Sequence, residues 1–356
     1  MNEQSVEKLL ADRFQRSHVL LTGNGTTALF IALCYAKQSH GCTSAVYPEI
    51  TCQTAVNAAV FADLPCRFID TTKVGFLADP LYWQQSDPGL RSQCLVLTDI
   101  FGHMHSELEL QGIEQFGFIV EDAAQAFFSE NGVRHAGSLG CASILSFGPG
   151  KQVDAGGGGA LLTDDGNLVE FGRNLLEVQA AERACAVSHR KDHYRQLLEL
   201  EKQQLSRTEH VACWQAIYRG NRSLFLAELD PGVSDRLLSE LRKADFIQDK
   251  LLDIQNSVQE CLHGYPVSFI PYVGRSQAWR VTFALGSVAE RNRLLSWLES
   301  AGIPASILFQ PASCLNSGGA AGHNAIFTHS HLINIDLKKL DLNQFKKVVN
   351  SYEWNR

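Results

Sequence analysis

Residues 118–163 read FIVEDAAQAFFSENGVRHAGSLGCASILSFGPGKQVDAGGGGALLT. Three short apolar runs stand out: Phe118–Glu121, Ser143–Phe147 and Ala160–Thr163. They do not alternate polar with apolar residues, which is the pattern of strands buried on both faces. Two of them run directly into residues that carry chemistry, Glu121-Asp122 and Ser146 to Lys151. In open parallel sheets, ligands bind beyond the carboxyl ends of strands.

Upstream, further short runs at His18–Leu21, Ala45–Tyr47, Cys66–Ile69 and Cys94–Asp99 complete seven candidate strands. Apolar helical stretches lie between them, such as Thr27–Ala36 and Thr54–Ala62. Strands alternating with helices predict an α/β domain with a mostly parallel seven-stranded sheet covered on both faces. After Asn174 the character changes, and residues 175–225, rich in Gln, Arg, Glu and Leu, are expected to be helical. Leu237, Leu241, Ala244, Ile247, Leu251, Ile254 and Val258 recur at spacings of three and four, one apolar helix face. Ser234 or Asp235 is the expected cap at its start. Strands at Val267–Ile270 and Trp279–Ala284, and helices near Val288–Ala301 and Leu342–Tyr352, suggest a smaller α+β domain. The expected division is 1–235 for a large domain and 236–356 for a small one.

The chain has 356 residues, 45% of them hydrophobic, enough for a sizeable core. A net charge of -7 offers no electrostatic footprint for nucleic acid. No stretch approaches the run of about 20 apolar residues that a membrane helix needs. The N-terminus, MNEQSVEKLLADRFQ, is charged throughout and lacks a signal peptide's apolar centre, so a cytoplasmic location is expected. Ten scattered cysteines without a CxxC pair read as reduced, buried thiols. His103/His105 and His329/His331 could bind metal if they lay on strands, but no third ligand is identifiable, so no metal is expected. Arg275, Arg280 and Lys338 could bind a substrate anion, with solvation as the alternative.

Three segments carry the chemistry. In Thr22-Gly23-Asn24-Gly25-Thr26-Thr27-Ala28-Leu29, glycines join a strand to an apolar helix whose first-turn N–H groups could cradle a phosphate. An ordinary glycine turn with a threonine cap is the alternative. In Glu121-Asp122-Ala123-Ala124-Gln125, a carboxylate at a strand end could hold a protonated ring nitrogen, or simply cap a helix. In Ser146-Phe147-Gly148-Pro149-Gly150-Lys151, followed by Gly156–Gly159, a desolvated lysine between glycine turns could attack an aldehyde, or remain a solvated loop lysine. Together they supply the anchor, pyridinium partner and imine-forming amine that a pyridoxal-phosphate site requires.

Order and spacing resemble the DegT/DnrJ/EryC1/StrS aminotransferases, of the fold-type I pyridoxal-phosphate class. Asn24–Leu29 resembles the family's Ser-Gly-Thr-Ala-Ala-Leu, and Tyr47–Ala58 its "Pro, aromatic, Thr, then Ala-Asn-Ala" segment. Glu121–Gln125, Gly137–Gly140, Ser146–Lys151 and Gly156–Asp164 resemble its Glu-Asp-Ala-Ala-Gln, Gly-Ser-Leu-Gly, Ser-Phe-x-x-x-Lys and glycine-rich strand. The likeness covers about residues 18–165. It implies that Lys151 is the Schiff-base lysine and proton shuttle, that Asp122 pairs with the pyridinium nitrogen, and that Gln125 bonds near the ring hydroxyl. Ser146, with Asn24, Gly25 and Thr26, would hold the phosphate of pyridoxal 5'-phosphate. It further implies a homodimer and transfer of an amino group from L-glutamate to a keto group of a nucleotide-linked sugar. The family's sugar dehydratases lack the lysine, so Lys151 argues against that branch.

The sequence also departs from the family pattern. Cys52 falls where an aromatic ring usually stacks on the cofactor, and Ile50 replaces a tyrosine. Asn24 replaces the usual serine, and Phe127 stands where many members carry histidine, on the expected substrate side. Asn221-Arg222 is the nearest likeness to the Asn-Tyr-Arg segment by which a neighbouring subunit supports the phosphate. Two other readings therefore stay open: a pyridoxal-phosphate enzyme with a non-nucleotide keto substrate, and an altered fold-type I scaffold with a binding role.

Overall fold

The computed structural model describes residues 2–73, 75–85, 87–186, 196, 199–200, 207–275, 277–316 and 321–354. Seven strands form one sheet: β1 (His18–Thr22), β2 (Ser44–Pro48), β3 (Cys66–Ile69), β4 (Gln93–Thr98), β5 (Phe118–Asp122), β6 (Ala142–Ser146) and β7 (Gly159–Thr163). Their order is β1-β7-β6-β5-β4-β2-β3. The five strands from β3 to β6 run parallel, and β7 lies antiparallel between β1 and β6. β2, β4 and β5 are buried at every residue, as their unbroken apolar runs require. Because β1 and β6 both oppose β7, the carboxyl ends of β1, β4, β5 and β6 share one edge of the sheet. Gly159 pairs with both Thr22 and Ser146, which brings the end of β1 beside the end of β6.

Helix Gly25–Ser39 starts at this edge and packs over β6 and β7. Its eleven buried residues include Ala28, Leu29, Ile31, Ala32 and Leu33. Burying each large aliphatic side chain here contributes roughly 1.5–3 kcal/mol before its entropy cost. Helices Gly166–Ala186 and Arg207–Gly220 are as expected, while the rest of residues 187–206 lies largely outside the described residues.

A second sheet contains β8 (Val267–Phe269), β9 (Arg280–Leu285), β10 (Ala305–Ser306) and β11 (Leu332–Asp336), in the antiparallel order β10-β11-β9-β8. The two sheets correspond to the two domains we propose, 1–235 and 236–356, and helix Pro231–Leu241 bridges that division. The long apolar face expected from Leu237 to Val258 belongs to two helices, Pro231–Leu241 and Ala244–Leu262, separated at Arg242-Lys243. The start is capped by Asp230, not Ser234 or Asp235: its carboxylate accepts from Gly232 N at 2.8 Å, and Pro231 occupies the first turn.

One apolar cluster runs across the division. Phe14, Phe147 and Val153 pack with Val281, Phe283 and Phe345 in the same core. Polar ties reinforce it. Trp279 N donates to Phe101 O (3.0 Å), and Arg275 N to Glu130 O (2.9 Å). Buried Glu49 accepts from Ser313 N and Gly322 N, and Asp70 accepts from Asn324 N and Ala325 N at the start of helix His323–His331. The small sheet is thus held against the edge of the large one where the carboxyl ends of β1, β4, β5 and β6 lie.

Candidate active site

The shared strand edge encloses a cavity of about 190 Å³. Asn24, Gly25, Thr26, Cys52, Asp122, Gln125, Ser146 and Lys151, all singled out from the sequence, line it together with Leu29, Thr54, Ala55, Ala124 and Ile144.

At one end lies the first turn of helix Gly25–Ser39. Asn24 caps it: Oδ1 accepts from Thr27 N at 2.8 Å and Thr27 Oγ1 at 3.0 Å, while Nδ2 donates to Phe225 O at 3.0 Å. Both polar ends of Asn24 are therefore engaged by protein. Gly25 N and Thr26 N belong to the first turn, whose N–H groups have no acceptor within the helix. These are the orphan donors of a helix start, where an anion is favoured. A Cβ on Gly25 would stand 3.1 Å from the Ser146 Cβ, and one on Gly159 would stand 2.4 Å from the Asn24 carbonyl carbon. Glycine at these positions lets β1, β6 and β7 close into one cradle.

The adjacent carboxylates Glu121 and Asp122 have separate tasks, because successive strand residues face opposite sides. Glu121, fully buried, accepts from Arg134 Nη1, Gly137 N and Leu139 N, each at 2.8 Å, and from Ser143 Oγ at 3.2 Å. It locks the loop behind the sheet. Asp122 faces the cavity, with Oδ1 accepting from Ala124 N at 3.1 Å. Burial pushes its carboxyl pKa up, opposed by Lys151. Gln125 Oε1 accepts from Phe101 N at 2.9 Å, which leaves the Nε2 end for the cavity.

Lys151 sits in the loop joining antiparallel β6 and β7. Desolvation lowers its proton affinity; Cys52 and Asp122 oppose this, and Arg280 adds to it. Gly150, at φ 84°, adopts the left-handed turn that glycine tolerates. Two small-domain donors hold the carbonyls on either side of the turn into Lys151. Trp279 Nε1 donates to Gly150 O, and Lys338 Nζ to Lys151 O, both at 2.8 Å. The Lys151 Nζ lies 5.0 Å from the Trp279 ring centroid. Cys52 stands at the N-cap of helix Gln53–Phe61 without a side-chain bond to a helix N–H; its Sγ hydrogen-bonds instead with Thr54 Oγ1 at 3.1 Å.

Several other expected residues lie elsewhere. Phe127 does not line the cavity; it packs edge-on against Phe14 at 5.2 Å, because the turn after Gln125 directs it into the core. His103 is buried and stacked on Tyr272 at 3.9 Å, and burial pushes its pKa down to about 3. His105 bonds to Ala78 O. His329 and His331 end a helix, not a strand. Asn221 donates to Ile217 O at the end of helix Arg207–Gly220. Of the three candidate anion binders, Arg275 is exposed beside Glu130. Arg280 pairs with Asp336 at 3.1 Å and lies over Trp279, and Lys338 reaches the lysine loop. Sequence reasoning missed the place of Trp279 beside Lys151. It also missed Asp99, whose fully buried carboxyl is pushed well up by burial and nearby Glu121. Cys34, Cys42, Cys52, Cys66, Cys94, Cys141, Cys213, Cys261 and Cys314 are free, Cys141 and Cys213 being exposed rather than buried as expected.

Comparison with known proteins agrees with this architecture. The chain is 27% identical over 176 residues to the GDP-perosamine synthase of Escherichia coli O157:H7, covering 47% of this chain and 46% of that protein. The alignment thus spans about half the length of that curated relative. Its fold matches Helicobacter pylori PseC, an aminotransferase of pseudoaminic acid biosynthesis, with a TM-score of 0.74 at 16% identity, over 99% of this chain and 90% of that one. It also matches the E. coli GDP-4-keto-6-deoxy-D-mannose-3-dehydratase with bound hydrated PLP, with a TM-score of 0.72 at 14% identity, over 98% and 92%. The family's own sequence profile matches residues 1–318, which takes in the cradle, Asp122, Lys151 and Trp279 alike. With nine-tenths of its length in that match, the chain belongs to the DegT/DnrJ/EryC1/StrS aminotransferase family, whose members use pyridoxal 5'-phosphate.

Proposed function

We propose that this protein is a pyridoxal-phosphate-dependent aminotransferase that moves an amino group from L-glutamate to a keto group of a nucleotide-linked sugar, working as a homodimer. The observation that carries the reading is the meeting of Lys151, Asp122 and the helix N-terminus at Gly25 and Thr26 around one cavity. These residues fit the cofactor: an anion cradle at one end, a carboxylate for a ring nitrogen, and a desolvated amine between them. When bound, pyridoxal phosphate supplies an aldehyde and an electron-withdrawing ring.

Each side chain then has a task. Gly25 N, Thr26 N and Ser146 Oγ bind the phosphate, with Asn24 holding the helix cap that presents those N–H groups. Asp122 accepts the ring N–H and keeps that nitrogen charged, since a buried opposite charge favours the protonated form. Gln125 Nε2 donates toward the ring hydroxyl. Cys52 lies along the cavity wall where it can touch the ring face. The Lys151 Nζ, uncharged, takes up a proton from the substrate carbon and returns it. The nucleotide positions the keto carbon.

The reading is tested by incubating the protein with cofactor, L-glutamate and a set of nucleotide-linked keto sugars. 2-Oxoglutarate and amino sugar are followed by mass spectrometry. Equal amounts of both products support it. Amination of a keto compound without a nucleotide, and of no sugar in the set, replaces the acceptor. Absence of turnover together with absence of cofactor binding leaves a scaffold with a binding role.

A further inference from the structure

Trp279 reaches Lys151 from the small-domain side, one residue before β9, and it connects the Lys151 loop with the turn at Phe101. Its indole N–H donates to Gly150 O at 2.8 Å, the carbonyl immediately before Lys151. Its backbone N–H donates to Phe101 O at 3.0 Å, and Phe101 N donates in turn to Gln125 Oε1. The Trp279 and Phe101 rings stack at 6.2 Å and 14°. The Lys151 Nζ lies 5.0 Å from the indole centroid and the Arg280 Cζ 4.7 Å. Gly148 and Gly150 allow many turns. The bonds from Gly150 N to Asp154 Oδ2, Lys151 N to Gly148 O and Lys338 Nζ to Lys151 O hold the backbone of the loop, and the Trp279 ring lies beside the amine itself.

We propose that Trp279 is a positioning residue for Lys151: its N–H fixes the turn that presents the lysine, and its ring face seats the amine. This rests on the reading of Lys151 as the imine-forming residue. The charged and titratable groups facing the amine are Cys52 from the start of helix Gln53–Phe61, Asp122 from β5 and Arg280 from β9. Cys52 and Asp122 favour the charged amine, as does the electron-rich ring face, while Arg280 and burial favour the neutral one. Trp279 therefore sets both where the amine sits and part of its proton affinity.

Two variants separate these effects. Trp279→Phe keeps a ring face and loses the N–H. Trp279→Leu loses both while keeping the site apolar. In full-length, cofactor-free protein, acylation of Lys151 by acetic anhydride across pH, read by peptide mass spectrometry, gives the titration midpoint. The rate at which a Lys151-dependent absorbance band appears on adding pyridoxal phosphate gives the presentation of the amine. Trp279→Phe should keep the midpoint within about 0.2 pH units, because a ring face remains. It should slow band appearance about 3- to 10-fold for the lost hydrogen bond. Trp279→Leu should lower the midpoint by about 0.5 pH units, because the charged amine loses its ring. Wild-type values of midpoint and rate in both variants would overturn the proposal. So would a raised midpoint in Trp279→Leu with a lowered melting temperature, the mark of water entering a loosened core. Wild-type protein that forms no band would sink the proposed activity instead, and the acylation midpoints would still decide the role of Trp279.

Discussion

The residues that line the cavity and the small-domain residues that hold its lysine loop are placed in different ways. Asn24–Thr26, Asp122–Gln125 and Ser146–Lys151 follow the ends of β1, β5 and β6, which lie close together in one sheet. Each binding group there stands within a few residues of the strand that places it. Trp279, Arg280 and Lys338 lie at or beside strands of a second sheet and reach the lysine loop or the ring beside it across the domain seam. The first set offers the groups that would contact a cofactor. The second holds carbonyls and a ring face around the lysine. Residues of the first set should therefore control chemistry, and residues of the second should adjust it.

The contrast predicts a ranking of effects. Lys151→Ala should lower the rate of amino-group uptake from the donor by roughly 10²–10⁴-fold, the range for a lost general base, measured in single-turnover spectroscopy. Asp122→Asn keeps shape and removes charge; a loss of about 10- to 100-fold in the same assay is expected, with circular dichroism unchanged. Its neighbour Glu121→Gln should do the reverse. Leaving Arg134 without its buried partner should cost about 3–5 kcal/mol in urea unfolding, with cofactor affinity little changed. Ser146→Ala should weaken cofactor affinity about 5- to 10-fold in equilibrium titration. Lys338→Ala, which removes one partly exposed donor, should slow cofactor capture only about 2- to 5-fold. A Lys338→Ala effect as large as that of Asp122→Asn would break the contrast.

Cofactor capture should also depend on pH in one direction. Only the neutral amine adds to an aldehyde, and desolvation lowers the Lys151 proton affinity. The capture rate should therefore rise with pH and level off below about 10.4, the ordinary lysine value. A rate still rising above that value would mean that the amine is solvated.

How much of this was legible follows from the same contrast. All seven strands of the large sheet stand within about a residue of their expected places. Of these, β2, β4, β5 and β7 were the plainest, because a strand buried on both faces writes its burial into consecutive residues. The cavity residues were legible because each follows its strand directly. Glu121 and Asp122 could not be told apart from sequence, since their opposite tasks depend on which face of β5 each occupies. The helix break at Arg242-Lys243 was hidden because the apolar spacing continues across it, although Asp230-Pro231 carried a start signal. β11, with every residue buried, and helix His323–His331 lay next to a His-rich stretch without strand or helix periodicity. Trp279, Arg280 and Lys338 lie 128, 129 and 187 residues from Lys151 in the chain, and no local spacing links them to it.

The most direct test of the account is an absorbance spectrum of the purified protein with pyridoxal phosphate, beside Lys151→Ala, before and after addition of L-glutamate. The account predicts a band that needs Lys151 and that glutamate converts to the spectrum of the aminated cofactor. A band equally present in Lys151→Ala, or no band in the wild type, would contradict it.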